Sequence, residues 1–328
     1  MPIILPTSEP TELQAAITQA VALLKAGLPV ALPTETVYGL AADALNPDAL
    51  LRIFQTKERP LFDPLIVHLP DRSWLNELAA IPAEDAGLVS ALVDAFWPGP
   101  LTLVLPRTSK VPDLVTSGLS TVALRLSSHP VFDAIVKAFG SPLAAPSANR
   151  FGRISPTTAE HVRKELDGRI PLIVDGGATQ YGLETTVVLV QQGALSILRA
   201  GPVTAEQLGE FAPLVPYIAA DSPVAPGQLK SHYAPVTPLT LLDETEPESA
   251  ATAKTGLLAW KSAPVGHGFQ HVEILSERGD LGEAAATLFA KLRKLDESGV
   301  DAIYAESVPE AGLGIAIMDR LRKAATRG

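Results

Sequence analysis

Apolar residues at Leu13, Ile17, Ala20, Val21 and Leu24 recur near the 3.6-residue period and predict a helix over 11–26, which Gly27 is placed to stop. Asn46 and Pro47 supply a cap and a first-turn proline for a second helix running towards Lys57. Short apolar runs predict strands at 30–32, 65–69, 101–105, 121–126, 143–145, 172–174, 186–190 and 195–198. Helical signals over 83–95, 131–139 and 158–166 are interleaved with them, which implies a large mixed α/β sheet. Further along, 239–242, 256–260, 272–275 and 302–305 read as strands, and 280–297 repeats Leu281, Ala285, Leu288, Leu292 and Leu295 on one helical face, a β-α-β-α order. Gly312-Leu313-Gly314 opens a last helix over 315–325; the pair lacks the third glycine of a dinucleotide fingerprint and reads as helix-start geometry.

The polar breaks in this pattern are not random. After Val30-Ala31-Leu32 the chain turns to Pro33-Thr34-Glu35-Thr36-Val37-Tyr38-Gly39-Leu40, with hydroxyls and glycine where a core strand would continue, as expected of a ligand-holding loop. Polar, Pro/Gly-rich insertions recur at 57–64, 145–156, 175–186 and 199–202, and together they read as the rim of one site on one sheet. Residues 213–238 hold six prolines, two formal charges and no helical period, which marks a linker between a domain at 1–212 and one at 239–328. Lys230-Ser231-His232-Tyr233 in its middle is more chemistry than a spacer needs.

Composition narrows the functions. A chain of 328 residues with 47% hydrophobic and 19% charged residues can bury two ordinary cores. Neither a signal-peptide pattern at Met1–Pro6 nor an apolar run of about 18 residues is present, so no membrane association and a cytoplasmic location are expected. Zero cysteine excludes disulfides, thiolate nucleophiles and Cys-ligated zinc, and the six histidines show no paired ligand spacing, so any metal is a hard, oxygen-bound ion. The net charge is −10: residues 1–212 carry 15 Lys and Arg against 21 Asp and Glu, and 239–328 carry 10 against 14. Neither half has the overall positive field on which non-specific nucleic-acid binding relies, whereas a small anion needs only a local cluster of cations.

Such a cluster is present. Lys57, Arg59, Arg125, Arg150, Arg153 and Arg199 lie in or beside the Pro/Gly/Ser-rich insertions. Lys57 ends a helix, where a cation also suits the dipole, and Pro60 forces an extended exit that lets Lys57 and Arg59 turn towards phosphate oxygens. Arg125 interrupts an apolar strand and needs a partner if buried, either a protein carboxylate or a substrate's. Ala145-Pro146-Ser147-Ala148-Asn149 presents a hydroxyl and a carboxamide at a strand end; no G-x-S-x-G surrounds Ser147, so ligand hydrogen bonding fits it better than nucleophilic attack. No P-loop motif occurs anywhere. A site of Arg, Lys, Ser, Thr and backbone NH suits holding anions and stabilising charge on a phosphate during transfer.

Five ordered motifs, Pro33–Leu40, Lys57-Glu58-Arg59-Pro60 with Pro64–His68, Phe96–Thr102, Pro146–Asn149 and Glu184–Val188, resemble the YrdC-like threonylcarbamoyl-adenylate synthases. His232-Tyr233-Ala234-Pro235 and the tail from Gly312 to Leu321 resemble the longer two-domain form. The resemblance implies an N-terminal YrdC-like twisted mixed open sheet with flanking helices, a Pro-rich linker and a smaller C-terminal Rossmann-like α/β domain. It implies a nucleotidyltransferase that makes threonylcarbamoyl-AMP and pyrophosphate from L-threonine, bicarbonate or CO2 and ATP, with Mg2+. The product feeds tRNA threonylcarbamoyl-transfer machinery that modifies the base next to the anticodon. By motif position, Thr36, His68, Arg125, Ala145 and Thr185 contact threonine. Lys57, Arg59, Asp63, Thr121, Ser147, Asn149, Ser155, Arg199, His232 and Tyr233 surround ATP, with Lys57 and Arg59 the catalytic cations and Tyr233 part of a lid. Asp63 stands where many relatives carry Asn, a repulsive choice beside triphosphate unless a cation intervenes. The metal's ligands are not assigned. A carbamoyl-AMP-dependent carbamoyltransferase, an RNA-binding module and an inactive interaction protein are the competing readings.

Overall fold

Asn46 caps the helix Pro47–Lys57 as its sequence predicts: the side chain accepts from the amides of Asp48 and Ala49, and Pro47 occupies the first turn. The chain leaves that helix through Glu58 in the left-handed conformation, φ 55°, which swings Arg59 and Pro60 away from the helix axis. Thr158 caps Ala159–Leu166 in the same manner, and the predicted helix at 131–139 begins one residue earlier, at Pro130.

The computed structural model describes residues 1–217, 232–242, 254–263 and 268–326. They form two compact units, the first made of 1–151, 156–180 and 184–217, the second of 152–155, 181–183 and the described residues from 232 onward. Of the predicted linker, 218–231, including Lys230 and Ser231, lies outside the described residues.

The first unit holds a ten-stranded mixed sheet. Its strands are β1 (Ile3–Pro6), β2 (Val30–Leu32), β3 (Gly39–Asp43), β4 (Ile66–His68), β5 (Leu101–Pro106), β6 (Thr121–Arg125), β7 (Leu143–Ala144), β8 (Leu172–Asp175), β9 (Thr186–Gln191) and β10 (Ala194–Arg199). They lie in the order β1-β8-β2-β3-β7-β4-β6-β5-β9-β10. β4 runs parallel to β6, with His68 opposite Arg125, and β5 runs parallel to β9.

Alternation along β6 separates core from site. Val122 and Leu124 enter the main core with Ile53, Phe54, Leu92 and Trp97. Ala123 points to the other face, into a small apolar cluster of Ile66, Val104, Val187 and Leu198. By the same two-residue period Thr121 and Arg125 share the face of Ala123, and His68 shares that of Ile66. A third cluster, including Ala16, Ala20, Leu24, Phe132 and Ile135, packs the helices Pro10–Lys25 and Pro130–Phe139 beside Val30, Leu143 and Leu172.

The second unit contains four parallel strands, β11 (Leu239–Leu241), β12 (Thr255–Ala259), β13 (His271–Ile274) and β14 (Ala302–Ala305), ordered β11-β14-β12-β13. The helix Leu281–Asp296 connects β13 to β14, and Leu313–Ala325 follows β14, a Rossmann-like arrangement. Gly314 is accounted for by packing: a Cβ there would collide with the carbonyl oxygen of Pro309. Gly312, φ 51°, stands at the helix cap, so this pair is helix-start geometry.

Candidate active site

Two buried polar clusters form on the first unit. The first is centred on Arg125, whose guanidinium lies 2.7 Å (Nη2 to Oε1) from the carboxylate of Glu35. Nη1 of Arg125 donates to Oγ1 of Thr36 at 3.1 Å, and Thr36 shares a 2.9 Å hydrogen bond with Thr34. Glu35 is held from its other side by Oγ of Ser127 at 2.5 Å and by the amide of Ser128 at 3.2 Å. The run Thr34-Glu35-Thr36 can present these groups because the Thr34 hydroxyl bonds the amides of Thr36 and Val37, turning the loop back on itself. Glu35 and Arg125 are each only 3% exposed, so neither charge is stable there without the other.

Burial pushes the Glu35 carboxyl up, but the Arg125 charge and the Ser127 hydrogen bond more than reverse this and hold it at about 2. Burial and the neighbouring Arg125 push His68 down to about 3, so its imidazole is neutral at physiological pH. Nδ1 of His68 and Nε of Arg125 are both buried and have no hydrogen-bond partner among the described residues. Two buried polar atoms without partners on one patch of sheet mark a candidate site for a small polar molecule.

Glu35 gives an acid-stability prediction. Its folded-state value lies below the ordinary carboxylate value of about 4.3, so its stabilisation is present above that value and is lost as pH falls towards 2. The expected loss is about 3 kcal/mol between pH 5 and pH 2. Urea unfolding at stepped pH should show a steeper decline for the native chain than for Glu35→Gln, and parallel declines would disprove the assignment.

The second cluster gathers Lys57, Arg59, Asp63 and the 147–149 loop. Lys57, 1% exposed, donates from Nζ to the carbonyls of Ser147 and Asn149, both at 2.5 Å. Its own carbonyl accepts from the amide of Phe151 at 2.8 Å, so the end of the helix Pro47–Lys57 and this loop are tied twice. The loop is also laced to the Pro33–Leu40 run: the amide of Leu40 donates to Pro146, and that of Ala148 to Tyr38. Arg59 donates to the carbonyls of Asp63 and Pro64 and pairs with Oδ2 of Asp63 at 2.9 Å. Burial raises the Asp63 carboxyl, opposed by the charges of Arg59, Lys57 and Arg199.

Arg199 and Thr185 are joined to each other and to β5. Arg199 donates to the carbonyl of Thr185 at 3.0 Å and to its Oγ1 at 2.8 Å, and that hydroxyl meets Oγ1 of Thr102 at 2.8 Å. The amide of Ala145 donates to the carbonyl of Ile66 at 3.0 Å. Lys57 therefore meets the Ser147 loop directly, and Lys57, Arg59 and Arg199 are each braced by backbone carbonyls. Thr121 is placed differently. It begins β6, about 13 Å along the strand from Arg125, and lines a cavity of about 470 Å³ with Val104, Leu189, Tyr217 and Glu84. Ser155, His232 and Tyr233 belong to the second unit.

Sequence reasoning left Glu35, Ser127 and Thr102 out of the site. Arg125 declared a need for a partner, but nothing in local spacing points to a carboxylate ninety positions earlier. Lys57 is also more than a dipole-compensating helix end: it clamps the Ser147 loop through two carbonyls.

A family model for Sua5, YciO and YrdC, described as telomere recombination, matches residues 22–201, and the threonylcarbamoyl-AMP synthase C-terminal domain matches 203–326. The chain is similar to threonylcarbamoyl-AMP synthase of Bacillus subtilis, 43% identical over 94% of this chain and 92% of the relative. It is 36% identical to that of Schizosaccharomyces pombe over 97% and 90% of the two chains. Among solved structures, Pyrococcus abyssi Sua5 complexed with L-threonine superposes with a TM-score of 0.87 at 36% identity, covering 99% of this chain and 97% of that one. With both segments matched in order and the likeness running through the whole length, the chain belongs to the Sua5/YciO/YrdC family, in the form that carries the threonylcarbamoyl-AMP synthase C-terminal domain.

Proposed function

We propose that the chain synthesises L-threonylcarbamoyl-AMP and pyrophosphate from L-threonine, bicarbonate or CO2 and ATP, for threonylcarbamoyladenosine modification of tRNA next to the anticodon. The observation that carries this reading is that the Pro33–Leu40 run, which meets Arg125 through Thr36, is hydrogen-bonded to the 146–148 loop that Lys57 clamps, so that the unpartnered Arg125 Nε and His68 Nδ1 and the braced cations lie on linked elements. The first pair suits an amino acid and the second a polyphosphate. The names of the relatives, threonylcarbamoyl-AMP synthases throughout, agree with it.

In this mechanism the threonine carboxylate takes the Arg125 donor, with Thr36, Ala145 and Thr185 around the rest of the molecule. Neutral His68 hydrogen-bonds the substrate and, with its value near 3, does not retain a proton. Threonine ammonium and bicarbonate give carbamate, water and one proton. A carbamate oxygen then attacks the α-phosphorus of ATP, the bond to the β-phosphate oxygen breaks, and pyrophosphate leaves with the electron pair. Lys57, Arg59 and Arg199 face the charge that develops on the phosphates, and because they are already held they need no reorganisation. Asn149 and Ser147 hold the loop beside them. Ser155, His232 and Tyr233 complete the proposed ATP set.

Mg2+ fits as an ion carried on the triphosphate. Both Asp63 carboxylate oxygens are buried without a hydrogen-bond partner among the described residues, although Arg59 is ion-paired with one of them. One carboxylate suits an ion that keeps water and phosphate ligands, and no larger metal-binding group occurs among the described residues. Such an ion would neutralise phosphate charge and relieve repulsion by Asp63.

The proposed site of action is the cytoplasm; no described helix is long and apolar enough to cross a membrane. The purified chain is expected to release pyrophosphate from ATP only when threonine and bicarbonate are both supplied, as measured by single omissions. Turnover with carbamoyl phosphate in their place would instead indicate a carbamoyltransferase, and RNA binding without ATP turnover a binding module.

A further inference from the structure

The second unit contains an arrangement that core packing does not require. Tyr233, a non-glycine residue at φ 63°, is only 1% exposed. A side chain in the left-handed region persists where its surroundings over-determine it, and Tyr233 is surrounded. Its ring stacks on Phe289 at 5.7 Å and 28°, and the His232 ring lies 4.1 Å away. The Arg320 guanidinium stands 5.1 Å from the ring centroid, and Arg320 is completely buried. Asp319 fixes that guanidinium through Oδ2 at 2.6 Å, while its other oxygen holds Lys323 at 2.8 Å. The Lys323 carbonyl accepts from the amide of His232.

The same helix that supplies Phe289 receives two further stretches of chain. One turn on, Arg293 donates to the Ile154 carbonyl at 2.6 Å. Gly182, φ 66°, lies so close to the backbone of Ala285 and Ala286 that a Cβ would collide with their carbonyls. Ala234 donates to the carbonyl of Gly152 at 2.8 Å. Residues 152–155, 181–183 and 232–234 therefore share one helical support, Leu281–Asp296, and the first of these stretches contains Ser155.

We propose that Arg320 and Phe289 are positioning residues for ATP, acting through Tyr233; this rests on the assignment of Tyr233 to ATP made above. Arg320 presents its cation and Phe289 its apolar ring to the phenol ring, so the ring is held in a backbone conformation it would not choose alone. The C-terminal helices thereby set the ATP site's affinity without supplying a group to the reacting atoms.

The test is a double-mutant cycle on KM for ATP and kcat, read from pyrophosphate release by the full chain. Tyr233→Ala and Arg320→Lys are each expected to raise KM for ATP, the second by about fivefold, with a smaller change in kcat. In the Tyr233→Ala background Arg320→Lys should add nothing, because its effect runs through the missing ring. An Arg320→Lys effect of equal size in both backgrounds, or none where Tyr233→Ala has one, overturns the positioning role alone. Unaltered KM in Tyr233→Ala removes the ATP assignment of Tyr233 and the positioning role with it, while a native chain inactive with all three substrates removes the enzymatic reading. Phe289→Leu gives the same cycle through the other ring contact, so that the proposal is decided even if Arg320→Lys does not fold.

Discussion

Arg125→Met is expected to raise KM for threonine by roughly 10²- to 10³-fold, the scale for truncating one partner of a buried, hydrogen-bonded charge pair. Arg125 is a buried cation whose Nε–H has no hydrogen-bond partner among the described residues, and its removal takes away that charged donor for a carboxylate. The substitution has a second consequence. Glu35, held at about 2 largely by Arg125 against the upward pull of burial, loses its counter-ion inside the protein. A buried charge without its partner costs about 3–5 kcal/mol, so Arg125→Met should also unfold at lower urea. The two effects can be separated. Adding Glu35→Gln removes the orphan charge and should recover most of the stability, while threonine affinity stays lost. If Glu35→Gln restored threonine affinity as well, Arg125 would be a structural ion-pair member and the carboxylate would bind elsewhere.

That double role explains how far the sequence could be read. Arg125 in an apolar strand announced a buried cation, and the sequence left two partners open; the structure supplies Glu35 and leaves one donor for a ligand. Local signals served well where they were local. Asn46-Pro47 set a helix start, and the apolar runs on β5, β6 and β9 fell within a residue or so of the observed strands. β3 was hidden because Gly39-Leu40-Ala41-Ala42-Asp43 has no β-branched residue; it is a strand because β2 and β7 pair with it on both sides. β1 was equally illegible, a short run between prolines that exists by parallel pairing with β8. The strand order and the Glu35–Arg125 and Lys57–Ser147 contacts join residues distant in the chain, and hydrophobic periodicity carries no information about such pairings. Hence the cations were legible as residue types and their bracing was not.

Lys57→Met is expected to lower kcat by roughly 10²- to 10³-fold, the scale for losing one preorganised donor to a developing charge. It should also destabilise the chain, since the carbonyls of Ser147 and Asn149 lose their shared donor, at about 1–3 kcal/mol for each group left unpaired. A change of pH separates the electrostatic loss from the structural one. Burial, then the charge of Arg59, lowers Lys57 well below the ordinary lysine value, with Asp63 and Glu165 opposing. A neutral amine keeps two N–H donors, enough for both carbonyls, so raising the pH removes the charge and leaves the loop clamped. The native chain should therefore lose kcat on the alkaline side, below the pH at which an exposed lysine titrates, with no matching fall in urea midpoint. Lys57→Met should lack that alkaline limb and be destabilised at every pH. An alkaline limb that survives in Lys57→Met would assign the titration to another group and leave Lys57 as a clamp alone.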